Sequence, residues 1–206
     1  MKVFMINGSP HPTGTTFRAL KEIAETLKAL NIESEIITVG DKQVFGCTAC
    51  GGCAKTGLCV KDDIVNEIIL KIQQADALVV GSPVYYASLN GTLKCLLDRV
   101  FYAKNTFANK PAAAIAVACR AGTTSTVDEI NKYFMISNMP VVSSQYWNMS
   151  FGSNGEQTEK DLEGMQTMRT LAKNMAWLLR CIEAGRNSGI EYPEKESTVR
   201  TNFIKQ

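Results

Sequence analysis

Cys47, Cys50, Cys53 and Cys59 stand within thirteen residues, in the spacing C-x2-C-x2-C-x5-C. Cysteine ordinarily occurs singly, as a small buried hydrophobe. Four in one short run, among Gly46, Gly51, Gly52 and Gly57, form a segment that can turn tightly and bring its sulfurs together. Thiolates gathered in this way suit an iron–sulfur cluster or zinc. Two-cluster ferredoxins end a related run with a three-residue gap, and their last cysteine serves the other cluster. Here the last gap is five residues and no second set exists, so the fourth thiolate can return to the same cluster and complete a 4Fe–4S site. Structural zinc more often uses two separated knuckles. Cluster, zinc and free redox-active thiols are the three chemistries open to this loop.

Two further segments carry binding chemistry. The first runs from Gly8 and Ser9 through His11 to Gly14, Thr15 and Thr16, just before a helical pattern. Free N–H groups and a partial positive charge at a helix start attract phosphate. Neither G-x-G-x-x-G nor the Gly-Lys-Thr ending of an ATP-binding loop is present. Hydroxyl and amide donors with little cationic help suit a monophosphate such as that of FMN. The second segment, Gly81 to Ser88, contains Pro83, Val84, Tyr85 and Tyr86. Aromatic faces and exposed amides are what a flavin ring needs. His11 is the only histidine, and a lone imidazole is poor support for acid–base catalysis, so its expected part is a minor one beside the phosphate. No Ser–His–Asp set, paired carboxylates or H-E-x-x-H motif offers hydrolytic chemistry. We nominate no catalytic side chain; the chemistry falls to the flavin.

These loops need a scaffold, and the sequence alternates between strand-like and helix-like patterns. Val3–Ile6, Ser34–Val39, Ala77–Val80, Ala112–Ala118 and Val141–Trp147 read as strands. Helical faces recur at Phe17–Leu30, Ile64–Ile72, Leu89–Phe101 and Thr126–Met135, and along one long helix from Thr158 to Glu183. Asp62 and Asp63 suit the start of the second of these. Alternation of this kind implies an α/β fold, a doubly wound five-stranded parallel sheet of flavodoxin-like order 2-1-3-4-5 with helices on both faces. Ligands then sit at the carboxyl ends of the strands near the switch point, which is where the loops after strands 1 and 3 emerge. We divide the chain into a domain at 1–184, including the cysteine-rich loop 44–60, and a polar tail at 185–206.

With 206 residues, 45% of them hydrophobic, the chain suits a single core. A net charge near +2 without a basic stripe argues against nucleic acid or an anionic membrane as partner. The N-terminal apolar run is short for a signal peptide, and we read it as a strand of a cytoplasmic protein. In that compartment seven cysteines do not form a disulfide framework. Cys95, Cys119 and Cys181 fall in apolar patterns and are expected in the core.

Taken together, Gly8–Thr16, the cysteine run and Ser82–Tyr86 resemble the NAD(P)H-dependent FMN reductases of the flavodoxin-like superfamily, and most closely the iron–sulfur flavoproteins. Lys94, Asp98 and Arg99 also fit that family's habit. The resemblance implies that Ser9, Gly14, Thr15 and Thr16 hold the FMN phosphate, that Pro83, Val84, Tyr85 and Tyr86 line the isoalloxazine, and that Cys119 to Gly122, with Arg120, close its other edge. Relatives often carry arginine where this chain has His11. The resemblance further implies a homodimer or homotetramer, with Thr201–Ile204 docking on a neighbour.

The expectation is an FMN-dependent oxidoreductase with a 4Fe–4S cluster on Cys47, Cys50, Cys53 and Cys59. Its electrons come from a redox partner such as ferredoxin or NAD(P)H and pass to a small-molecule acceptor. The alternatives are a cluster-free NAD(P)H-dependent FMN or quinone reductase, and an electron carrier that turns over no small molecule.

Overall fold

The computed structural model describes residues 1–103, 107–197, 199 and 201–203. Of the tail segment expected to dock on a neighbour, Thr201–Ile204, the last residue lies outside this set. The elements are β1 (Lys2–Asn7), α1 (Thr15–Ala29), β2 (Glu33–Thr38), α2 (Cys53–Thr56), α3 (Val65–Gln74), β3 (Ala77–Tyr85), β4 (Ser88–Leu89), α4 (Gly91–Tyr102), β5 (Ala112–Ala118), α5 (Thr123–Ile136), β6 (Met149–Phe151), α6 (Gly155–Lys160) and α7 (Leu162–Asn187).

The sheet runs β2-β1-β3-β5-β6, all parallel, while β4 folds back antiparallel on β3. With that hairpin strand set aside, the five parallel strands keep the expected order 2-1-3-4-5. Alternation along β1 supplies both layers. Phe4 and Ile6 join a core with Ile68, Leu96 and Ile130 on one face, and Val3 and Met5 join Leu20, Leu171 and Met175 on the other. Both faces are therefore covered, as parallel sheets require. Among the described residues no helix is long and apolar enough to cross a membrane.

Four expectations need correction. The last strand is Met149–Phe151 and not Val141–Trp147. Val141 makes one isolated bridge with Ala112, after which α7 draws the chain aside: Ser144 Oγ donates to Thr167 O, and Asn174 Nδ2 to Ser143 O. β3 does not stop at Gly81 but runs through Pro83 to Tyr85. Its pairing with β1 ends at Gly81, so Pro83 faces a paired strand on one side only and its missing N–H is tolerated. The long C-terminal helix divides at Asp161, whose carboxylate caps Gly164 N and also accepts from Ser150 Oγ and Phe151 N. Finally, Cys119 and Cys181 are exposed and Cys95 is half-buried, so none of the three is a core residue. Cys119 lies past the end of its strand, and Cys181 on the outer side of α7.

Candidate functional site

Parallel pairing sends every loop that follows a strand to one edge of the sheet. Asn7 is in register with Gly81, Pro83 with Val117 and Ala118 with Phe151. The loops after β1, β3, β5 and β6 consequently leave side by side. Gly8 N donates to Gly81 O at 2.8 Å, tying the root of the first loop to β3 upstream of its hairpin end. The chain after β2 closes on the same place. A Cβ at Gly40 would lie 2.1 Å from Gly8 O, so only glycine allows this contact.

The first loop is a tight, self-bonded turn. Ser9 N donates to Asn7 Oδ1 at 3.1 Å, His11 N to Ser9 Oγ at 3.2 Å, and Gly14 N to His11 O at 3.1 Å. Ser9 is nearly buried, and His11 is exposed at the tip. At the start of α1, Gly14 provides no side-chain cap, and the first turn holds no acidic residue. The leading N–H groups of Thr15 and Thr16 therefore have no capping side chain. Thr16 Oγ1 is buried with no hydrogen-bond partner among the described residues. A buried hydroxyl left in this state carries a desolvation penalty that a bound acceptor would relieve. The nearby cation Arg18 is committed to Glu22 and Glu159, at 2.7 Å each, so the loop offers neutral donors.

The second loop is a braced hairpin. Val84 pairs with Leu89 and Tyr85 with Ser88, with Tyr86 and Ala87 at the turn. Ser82 Oγ ties its base to the start of α4 by accepting from Asn90 N at 3.0 Å, and Asn90 in turn caps Leu93 N. From α5, Ser125 Oγ donates to Ala87 O at 2.6 Å, while Glu129 accepts from Ser88 Oγ and Lys94 Nζ. Tyr86 has φ of 58° and is fully exposed, a conformation uncommon for a bulky residue; Tyr85 is partly exposed beside it. Gly122, with φ of 88°, lies against this hairpin; a Cβ there would come within 2.8 Å of Val84 Cγ1. Arg120 is exposed in the same loop. Ser9, His11, Gly14, Thr15, Thr16, Pro83, Val84, Tyr85, Tyr86, Arg120 and Gly122 thus stand at one edge of the sheet, on the first loop and the start of α1, on the β3–β4 hairpin and on the loop after β5.

All four loop cysteines line a single cavity of about 20 Å³ with Arg99 and Tyr102. That volume holds about one water molecule. Cys47 and Cys50 are exposed; Cys53 and Cys59 are half-buried. Among the described residues no group of three or more metal-capable side chains stands ready to hold an ion. The donor chemistry therefore matches a thiolate site, while the sulfurs in this arrangement are not gathered into one.

Cys59 is the best supported of the four. Its backbone N–H donates to Asn66 Oδ1 at 2.7 Å, and its carbonyl accepts from Asn66 Nδ2 at 2.8 Å. Arg99 Nε donates to its sulfur at 3.2 Å. Burial pushes the thiol up, but hydrogen bonds from the Lys61 backbone and Arg99, with the guanidinium charge, outweigh it, and the thiol lies below its ordinary value. Arg99 also donates to Phe45 O at 3.1 Å and clasps Asp63, whose Oδ1 caps Val65 N at 3.2 Å. Sequence reading found Arg99 only through the resemblance, and gave it no partner. Its i+4 spacing from Cys95 puts both on one face of α4, but nothing in that spacing points to a sulfur forty positions away.

A family model described as NADPH-dependent FMN reductase matches residues 1–154. The chain is 33% identical over 192 residues to an iron–sulfur flavoprotein of Methanocaldococcus jannaschii, covering 89% of this chain and 100% of that one. It is 32% identical over 193 residues to an iron–sulfur flavoprotein of Methanosarcina thermophila, covering 91% and 100%. In overall fold it is similar to RosB, solved with 8-demethyl-8-formylriboflavin-5'-phosphate bound, with a TM-score of 0.72 at 15% identity over 100% of this chain and 92% of that one.

Proposed function

The chain belongs to the NADPH-dependent FMN reductase family, and from that premise we propose that it holds FMN between the loops after β1 and β3 and carries a 4Fe–4S cluster on Cys47, Cys50, Cys53 and Cys59. Its general activity, a flavin-dependent oxidoreductase, follows from the family. The observation that carries the FMN assignment is the uncapped start of α1 with the partnerless Thr16 hydroxyl. A phosphate accepts from Thr16 Oγ1 and from the amides of Thr15 and Thr16, in the partial positive charge of the helix start. Ser9 Oγ, which accepts from His11 N, keeps its own proton to donate. Tyr85 and Tyr86 supply aromatic faces for the ring, held out by the Ser125 and Glu129 braces. Gly122 packs on that hairpin and Arg120 stands beside it as an exposed cation. When bound, FMN supplies hydride and one-electron chemistry; the loops bind it, orient it and screen one side of it from water.

The cluster reading is supported by the four thiols on one cavity and by the iron–sulfur flavoproteins among the relatives. With room for about one water in the present arrangement, taking up a cluster requires the four thiols to be drawn into one site around it. Electrons from ferredoxin or NAD(P)H then enter through the cluster or the flavin, and a small molecule takes them on. We also propose that the protein works as a homo-oligomer.

Purification without air, followed by an absorption spectrum and assays for iron, sulfide and zinc, tests the assignment. A flavin spectrum with about four iron per chain is the expected result. Yellow, iron-free protein under those conditions reduces the reading to a cluster-free NAD(P)H-dependent FMN or quinone reductase. Colourless protein that refuses FMN overturns it altogether.

A further inference from the structure

Arg99 is 2% exposed, on a helix that otherwise turns Leu93, Leu96, Leu97 and Val100 into the core. A guanidinium in such a place must be paired and hydrogen-bonded. Among the described residues, the hydrogen-bond partners of Arg99 lie in the cysteine loop or directly after it: Phe45 O, Cys59 Sγ and the Asp63 carboxylate. Asp63 is as deeply placed, with 6% of its side chain exposed against 1% for Arg99. The carboxylate balances the charge and, because the guanidinium is a rigid planar fork, also sets where Nε–H points. It points at sulfur. The core gains little from this arrangement, since an apolar pair would fill the same space at no loss of stability; the cysteine loop gains a fixed anchor.

We propose that Arg99 is a positioning residue for Cys59: it seats that sulfur and keeps an N–H donor on it when the sulfur ligates a metal. This rests on the reading of the loop as a 4Fe–4S site. Gaining one electron from an external reductant adds one negative charge to the cluster and its thiolates. An N–H dipole aimed at a ligand sulfur stabilises the more negative state, so Arg99 raises the reduction potential. It also slows loss of the metal by holding one ligand in place.

The experiment uses the complete protein, loaded with FMN and iron under anaerobic conditions. It compares the wild type with Arg99→Lys and with the charge-balanced pair Arg99→Gln and Asp63→Asn, which leaves no buried charge unpaired. Reduction with dithionite at controlled potentials is followed by the EPR signal of the reduced cluster, and iron loss by transfer to a chelator. In the pair, the ratio of oxidised to reduced cluster at a given potential rises about tenfold, a shift of about 59 mV to lower potential for a one-electron couple. Iron loss becomes about tenfold faster, while FMN content is unchanged. Arg99→Lys, which keeps a charge but not the fork, recovers part of the iron retention. A folded, FMN-loaded pair with wild-type potential and wild-type iron retention overturns the proposal. Wild-type protein that takes up no iron overturns the cluster reading instead; amide hydrogen exchange of the metal-free protein then decides Arg99. Exchange over residues 44–60 that rises about tenfold in the pair, with residues 8–16 unchanged, supports the anchor. Unchanged exchange in both segments removes it.

Discussion

The amide of Gly8 and the carbonyl of Gly81 meet at 2.8 Å, one residue beyond the last rung that pairs β1 with β3. This bond fixes the start of the first loop to the strand that carries the tyrosine hairpin, more than seventy positions away in the chain. Everything assigned to the flavin depends on that joint, because the phosphate donors lie on one side of it and the tyrosines on the other.

Thr16→Val removes the partnerless hydroxyl and keeps the shape of the side chain. A hydrogen bond to a charged group is worth about 1.5–3 kcal/mol, so FMN affinity falls at least about tenfold. Without flavin, the same variant is more stable by about 1 kcal/mol, since an unsatisfied buried polar atom is gone. Fluorescence titration with FMN and urea unfolding of the flavin-free protein measure the two effects; equal FMN affinity in both proteins removes Thr16 from the phosphate site.

Gly122→Ala forces a side chain into left-handed backbone and against Val84 Cγ1 at 2.8 Å. The conformational part alone destabilises by about 1–2 kcal/mol. Because the strain is transmitted to the hairpin that carries Tyr86, FMN affinity drops with stability. Unfolding and FMN titration that both match the wild type contradict this packing.

Cys50→Ala takes away one thiol at an exposed position. The protein folds, keeps FMN and loses cluster iron. Iron and flavin assays on the same preparation show whether the two losses separate; joint loss means that the cysteine loop and the flavin loops form one site.

Asp63→Ala leaves the Arg99 guanidinium buried and unpaired, at a cost of about 3–5 kcal/mol. Asp63→Asn, which retains acceptors for part of the fork, costs less. Thermal or urea unfolding ranks the two variants, and a wild-type midpoint for Asp63→Ala shows that Arg99 finds water instead.

Glu22 sits between Arg18 at 2.7 Å and Arg169 at 2.6 Å. Burial pushes its carboxyl up, but hydrogen bonds from Arg169 and Arg18 outweigh this and hold it below the ordinary glutamate value. Its folded pKa is therefore lower than its unfolded pKa. The stabilisation is complete above the unfolded value, about 4.3, and disappears as pH falls through the lower folded value. Glu22→Gln, with no carboxylate to titrate, is less stable than the wild type at neutral pH, and the gap narrows on acidification. Urea midpoints at pH 6 and about pH 3.5 test the slope; a gap independent of pH assigns the loss to packing.

Much of this protein is local and so was legible along the chain. Side chains that alternate every two residues or recur every 3.6 report which face is buried, and that was enough for four of the five parallel strands and their order. Val141–Trp147 misled because its apolar alternation is genuine, while Ser144 and Asn174 anchor the stretch to α7 rather than to β5. Asp161 looks along the chain like one more helical position, because the partners that make it a cap are Gly164 N in the next turn and Ser150 and Phe151 on β6.

The four cysteines, their spacing and the glycine-rich, hydroxyl-rich turns are properties of neighbouring residues, so the sequence by itself determined which chemistry the chain can host. Which side chain stands on the Cys59 sulfur, which turn forces Tyr86 to positive φ and which hydroxyl is left without a partner were decided only by tertiary structure. Those contacts join residues tens of positions apart, and no local periodicity encodes a pairing that exists only once the sheet has brought its loop ends together.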